Sequence, residues 1–393
     1  MEPKIRFKGY MFGWVSEAIG LYYNFKNGLN KSKEYFGFGT PIVNFTDVFN
    51  NRVLDYASLK GRVFVTKEEI ANYSVQKGDL FFTRTSETLE EIGYPSVMLS
   101  DSPQTVYSGF VLRGRAINND PLVDVFKSYV FFTTSFRKEM IRKSSMTTRA
   151  LTSGNRLKEM IFTYPKAEDE QFKIGNYFLT LDNKIQTTSK KLESLKKLKS
   201  ASLVAMFPQQ GKTTPKVRFK GFEGEWKKVK LGNVCSVNRG TRITKKELNT
   251  NQSYPVYQNT NYPLGYYKNY NVEANNPYVI IGGSAGLIGF SNVPFWAADD
   301  CAYFGDNDSL DKAFLYSTLL SHIAEIKKNV RGSSVPRLDR STLIDLEINL
   351  PSFSEQQAIA SFFHSLDRKI ALETARLEKL KQIKLACLDK MFV

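Results

Sequence analysis

The sequence predicts an α+β protein: two bodies of mixed α/β structure separated by two long helices that form an antiparallel coiled coil, with a pseudo-twofold internal repeat. Three observations predict it. Glu170 to Phe207 is written a second time, without a gap, as Glu355 to Phe392. A leading motif, Pro3-Lys4-Ile5-Arg6-Phe7-Lys8-Gly9 followed by Trp14 and Gly20, returns as Pro215-Lys216-Val217-Arg218-Phe219-Lys220-Gly221 with Trp226 and Gly232. The bodies between these repeats, roughly 10–160 and 222–345, share no comparable identity yet read alike as strands and turns. A period this long is an internal duplication and not a solenoid of short repeats. The expected divisions are 1–164 for the first body, 165–208 for the first helix, 209–350 for the second body with 209–215 as its linker, and 351–393 for the second helix.

The helices follow from their apolar spacing. In the first copy Ile174, Phe178, Leu181, Ile185, Leu192 and Leu195 step by fours and threes, and Ile359, Phe363, Leu366, Ile370, Leu377 and Leu380 do so in the second. That spacing draws one narrow apolar seam along a helix. At ~1.5 Å per residue, about 38 residues extend roughly 57 Å. A single-seam helix needs a partner, and the other copy supplies it. Polar breaks recur at Thr188 with Glu373 and at Lys199 with Lys384; polar seam residues cost stability but fix register.

Each body reads in a similar order. In the first, 40–46, 62–66, 80–84 and 107–112 are strand-like, with Gly78-Asp79 as a turn. A helix is expected over 122–143 and a polar turn over 144–154, after which 161–165 leads into the first long helix. Pro208 to Pro215 is polar and proline-bounded, a linker. In the second body 254–261 and 278–281 are strand-like, 312–328 is the matching helix and 331–337 the matching loop. Ser354 with Gln357 is expected to form a capping box for the second long helix.

Charge narrows the function. The net formal charge is +16, which points to a polyanion, nucleic acid before membrane. No apolar run near 18 residues occurs, and the three cysteines and two histidines make neither a CxxC nor a metal-ligand spacing. Those features predict a cytoplasmic protein with no metal site.

Catalytic motifs fail when tested. Asn276-Pro277-Tyr278 lacks the second proline of the amide-methyltransferase tetrapeptide. Gly283, Gly286 and Gly289 do not satisfy GxGxxG and read as a glycine-rich turn. Loops that are basic or amide-rich are the positive signal. Arg84, Arg115, Thr147, Thr148 and Arg149 in the first body are candidate DNA contacts, with Arg239, Arg242, Gln258, Asn259, Asn261, Ser333, Ser334 and Arg337 in the second. Arginine and lysine hold phosphates, while amides and arginine read base edges. On the residues alone, a scaffold binding RNA or protein and an autonomous methyltransferase remain open.

The whole chain resembles the specificity subunits of type I restriction-modification enzymes. The resemblance rests on the proline and Glu-Gln pairs (Pro165 with Glu170-Gln171, Pro351 with Glu355-Gln356), on Leu-Asp-x-Lys-Ile at 181–185 and 366–370, and on the leading motif. Val75 to Asp79 followed by Phe81-Phe82-Thr83-Arg84 is similar to a target-recognition domain of that family. The resemblance implies a non-catalytic chain with two target-recognition domains, each reading one half of a bipartite double-stranded DNA site. It implies two methyltransferase subunits docked on the helices and separate restriction subunits. S-adenosylmethionine would belong to the methyltransferase partners, ATP and magnesium to the restriction subunit, and no cofactor to this chain.

Overall fold

The computed structural model describes residues 2–249 and 251–393. The chain divides into two compact units, Met1–Thr188 with Arg376–Val393, and Ser189–Ala375. The two repeats appear as single helices, Glu168–Met206 and Phe353–Lys390. Each unit therefore holds one body and a segment of both helices.

Within each unit the helix segments run antiparallel. In the first, Tyr177 meets Cys387 and Asp182 meets Lys384; in the second, Lys191 meets Glu373 and Lys199 meets Asp367. The seam is as spaced: Ile174, Phe178, Leu181 and Leu192 are buried, as are Ile359, Phe363, Leu366 and Leu377, while Ile185, Leu195, Ile370 and Leu380 are half-buried. Lys199 and Lys384, the recurring breaks, are each bonded to the aspartate of the opposing Leu-Asp-x-Lys-Ile segment. Those lysines also lie over tyrosine rings of the adjoining bodies, Lys199 5.7 Å from the centre of Tyr316 and Lys384 6.0 Å from that of Tyr129. Burial pushes the Tyr316 hydroxyl up to about 12, so it stays a neutral partner for the cation.

The other repeated residues explain themselves by contact. Glu170 and Glu355 are each 1% exposed, and Arg6 and Arg218 grip them with two parallel N–H···O bonds of 2.6–2.8 Å. The Gln171 side chain donates to the carbonyls of Pro165 and Pro121 and accepts from the Val123 amide. Gln356 repeats this with Pro351, Ser309 and Asp311. A buried amide so fully bonded fixes where the helix leaves its body. At the other helix ends Phe392 packs with Trp14, Phe126 and Phe178, and Phe207 packs with Trp226, Phe314 and Phe363. The leading motif is tied there too, Ile5 N–H to Lys390 O and Val217 N–H to Ala205 O.

The first body is built on a five-stranded sheet in the order 23–27, 111–116, 80–83, 95–98, 53–54, antiparallel except for the last pair. The second has a four-stranded antiparallel sheet in the order 237–239, 301–304, 276–280, 288–291. Asn276-Pro277-Tyr278 is buried inside it, and the glycine-rich segment turns between its last two strands. Each body adds a small sheet whose central strand has one antiparallel and one parallel neighbour: 36–43 between 62–63 and 106–107, and 254–257 between 265–267 and 296–297.

Several local expectations are corrected. The helix over 122–143 is two, Asp124–Val130 and Thr134–Lys143, because the Thr133 hydroxyl donates to Val130 O and accepts the Phe136 amide, ending one and capping the next. The one over 312–328 breaks at His322, whose ring bonds Thr318 O. The strand expected over 40–46 stops at Val43, since Asn44 and Asp47 form a capping box for Phe45–Asn50. The second long helix is capped by Ser352, which accepts the Glu355 amide, and not by Ser354 with Gln357.

Candidate nucleic-acid interface

Main-chain hydrogen bonds bring the same five segments together in each body. In the first, Ser108 N–H bonds Val43 O, Leu29 N–H bonds Tyr107 O, Arg84 N–H bonds Phe110 O and Thr152 N–H bonds Arg84 O, at 2.8–3.0 Å. In the second, Ala298 bonds Tyr257, Thr241 bonds Ala297, Ile281 bonds Asp300 and Leu338 bonds Ile281, at 2.8–2.9 Å. The correspondence is residue for residue: 43 with 257, 84 with 281, 108–110 with 298–300, 152 with 338. It includes one required glycine. A Cβ on Gly28 would stand 2.2 Å from Ser108 O, and one on Gly240 2.2 Å from Ala298 O.

The hairpins follow the same register. Ser145–Met146 pairs with Ala150–Leu151, leaving Thr147, Thr148 and Arg149 exposed at the tip, and Leu151 pairs with Thr85. In the second body Arg331 and Arg337 exchange both main-chain bonds, Ser333 and Ser334 are exposed at the tip, and Arg337 pairs with Gly282. An arginine also covers the same carbonyl in both, Arg84 on Gly109 O at 3.3 Å and Arg239 on Asp299 O at 2.6 Å. These arginines come from different segments, Arg84 from the link between strands 80–83 and 85–86 and Arg239 from the end of strand 237–239.

Comparisons with known proteins meet this geometry. A family model described as the type I restriction modification DNA specificity domain matches residues 223–382. The MjaIX type I restriction enzyme specificity subunit of Methanocaldococcus jannaschii is 24% identical over 92% of this chain and 88% of its own length. The MjaX specificity subunit of the same organism, assigned to that role as a candidate, is 23% identical over 91% and 88%. A crystal structure of the type I restriction-modification S subunit from M. genitalium covers 100% of this chain and 99% of its own, at 17% identity and a TM-score of 0.75, and so shares the fold. Over nearly its whole length the chain is similar to type I specificity subunits.

In this chain the sequence-predicted residues fall into three groups. Arg84, Thr147, Thr148 and Arg149 come together in the first body, where Arg149 pairs with Glu87 at 3.1 Å. Arg239, Gln258 and Arg337 gather round Asp299 and Asp300 in the second: Arg239 and Gln258 bond Asp299, and Arg337 bonds Asp300 at 3.3 Å. Asn259 adjoins them, its carbonyl accepting from Ser284 N–H. Arg242 and Asn261 are exposed on the loops that carry these groups, and Asn261 O accepts from the Tyr278 hydroxyl. Arg115 stands apart. It sits four residues along its strand from Val111, about 13 Å, and is held by Asp79, itself 2% exposed, through two bonds of 2.6 and 2.7 Å.

Sequence reasoning missed Phe110, Asp299 and Asp300. The adjacent acids in a basic body were a readable signal, since an acid pair there restrains arginine and amide side chains. Phe110 offered none, because an exposed phenylalanine in sequence looks like a core residue.

Proposed function

We propose that each body reads one half of a bipartite double-stranded DNA site, that the long helices set the distance between the readings, and that the chain performs no chemistry of its own. The observation that carries this reading is the shared loop arrangement: one main-chain scaffold bears Arg84, Thr147, Thr148 and Arg149 in one body and Arg239, Gln258, Asn259 and Arg337 in the other. Identical side chains would suit a symmetric site; different ones suit two different sequences. Arginine and amide side chains on such loops match major-groove edges, and the +16 charge suits the phosphates.

On this reading methyltransferase subunits dock on the helices and bring S-adenosylmethionine, and restriction subunits bring ATP and magnesium. Among the described residues no helix is long and apolar enough to cross a membrane. The test replaces residues 222–345 with the second body of a relative and sequences methylated DNA from cells carrying the partners. One half-site should change and the other persist. A change in both halves would refute the assignment of one body to one half-site.

A further inference from the structure

The register between the two bodies places Phe110 and Asp300 at the same turn. Each follows a parallel strand pair, and each gives its carbonyl to the residue that enters the loop beside the hairpin, Arg84 or Ile281. Their side chains have different chemistry. Asp300 is bonded to Arg337 of its hairpin. Phe110 carries no polar side-chain group to do the same and is 55% exposed, lining a cleft with Phe45, Phe49, Thr85, Ser86, Arg149 and the acids Glu87 and Glu91.

A single exposed phenylalanine side chain needs no explanation on most surfaces. This one adjoins Gly109, whose carbonyl anchors the Arg84 guanidinium, and shares its cleft with Arg149 of the exposed tip. It is thus an apolar side chain beside groups assigned to DNA, in a cleft where Glu87 also engages Arg149. In the major groove only one base edge is apolar, the C5-methyl group of thymine. Phosphate and base-edge donors flanking a phenyl ring would hold that methyl against the ring and exclude water from it.

We propose that Phe110 is a specificity-determining residue of the first body, selecting a thymine through its 5-methyl group, and that Asp300 at the same turn instead positions Arg337. The inference rests on the reading of one half-site per body and names the chemistry of one contact within it. It requires thymine at one place in the first half-site, and it requires that methyl to matter.

The experiment uses the chain assembled with its methyltransferase partners and duplexes carrying the site found by methylation sequencing. Each thymine is replaced in turn by deoxyuridine, which removes only the methyl. The wild-type complex should bind about three- to fivefold more weakly at one position of the first half-site, the size expected for one buried methyl. Phe110→Ala should bind the thymine and deoxyuridine duplexes alike at that position and keep the second half-site unchanged. Phe110→Leu, still apolar, should retain a preference for thymine. A wild-type complex indifferent to every deoxyuridine in the first half-site overturns the proposal, as does a Phe110→Ala complex with undiminished sensitivity. The wild-type scan decides even if the alanine variant fails to assemble. Failure of the underlying reading would show separately, as a replaced first body that leaves both half-sites as they were.

Discussion

The helical frame and the recognition loops are both duplicated, yet only the frame kept its residues. The difference follows from what holds each in place. Side chains hold the frame: Arg6 on Glu170, Arg218 on Glu355, Gln171 and Gln356 in their carbonyl pockets, Lys199 and Lys384 on the facing aspartates. Changing one of these residues removes the bond. Peptide groups hold the loops, from Leu29 to Tyr107 and Thr241 to Ala297, from Arg84 to Phe110 and Ile281 to Asp300. A peptide bond is indifferent to the side chain it carries. The loops were therefore free to change their surfaces while keeping their course.

That contrast can be broken by substitution. The largest effect is expected from a charge in the seam. Leu181→Glu or Leu366→Glu would bury an unpaired carboxylate and cost several kcal/mol, read as a lower urea midpoint in the unit carrying the change. Next come the arginine grips. Arg218→Met leaves Glu355 buried without its cation and should cost about 3–5 kcal/mol, and Arg6→Met should cost a similar amount; an effect below about 1 kcal/mol would mean that these pairs behave as surface ion pairs and the comparison is wrong. Replacing Gln171 or Gln356 by Leu strands carbonyls and an amide, at about 1–3 kcal/mol.

Loop substitutions should behave the opposite way. Thr147→Ala, Thr148→Ala, Ser333→Ala and Ser334→Ala should shift stability by no more than about 0.5 kcal/mol. Arg149→Ala or Arg337→Ala should instead relax discrimination at one base pair by about 1–3 kcal/mol, measured by competition binding of the assembled complex. The gentlest test leaves every contact in phase. Inserting one heptad after Lys190 and another after Ala375 preserves the seam and lengthens each helix by about 10 Å. The expected site keeps both half-sequences with a spacer longer by about three base pairs, at ~3.4 Å each. An unchanged spacer would locate the ruler in the bodies or the partner subunits.

Legibility in the sequence tracked the same division. The helix seam could be read because burial along a coiled coil has a fixed period, and Ile174, Phe178, Ile359 and Phe363 each announce a face by spacing alone. The proline, Glu-Gln and Leu-Asp-x-Lys-Ile motifs were visible as repeats, though not their partners: that Lys199 answers Asp367, or that Phe392 lies against Trp14, depends on antiparallel pairing that brings distant numbers together. Local capping at Thr133, Asn44 and Ser352 divided or shifted elements that hydrophobic pattern alone ran together.

What the sequence by itself determined was the duplicated architecture, its apolar seam, its basic charge and the polar turns at 144–154 and 331–337. These depend on periodicity and composition, which are properties of short windows. Only the tertiary structure decided that Arg84 and Arg239 cover equivalent carbonyls, that Arg115 is committed to Asp79, and that Phe110 and Asp300 share a turn. Those relations pass through main-chain hydrogen bonds between segments far apart in the chain. Peptide groups are alike in every residue, so the bonds that align the two bodies leave no mark on the amino acids they join.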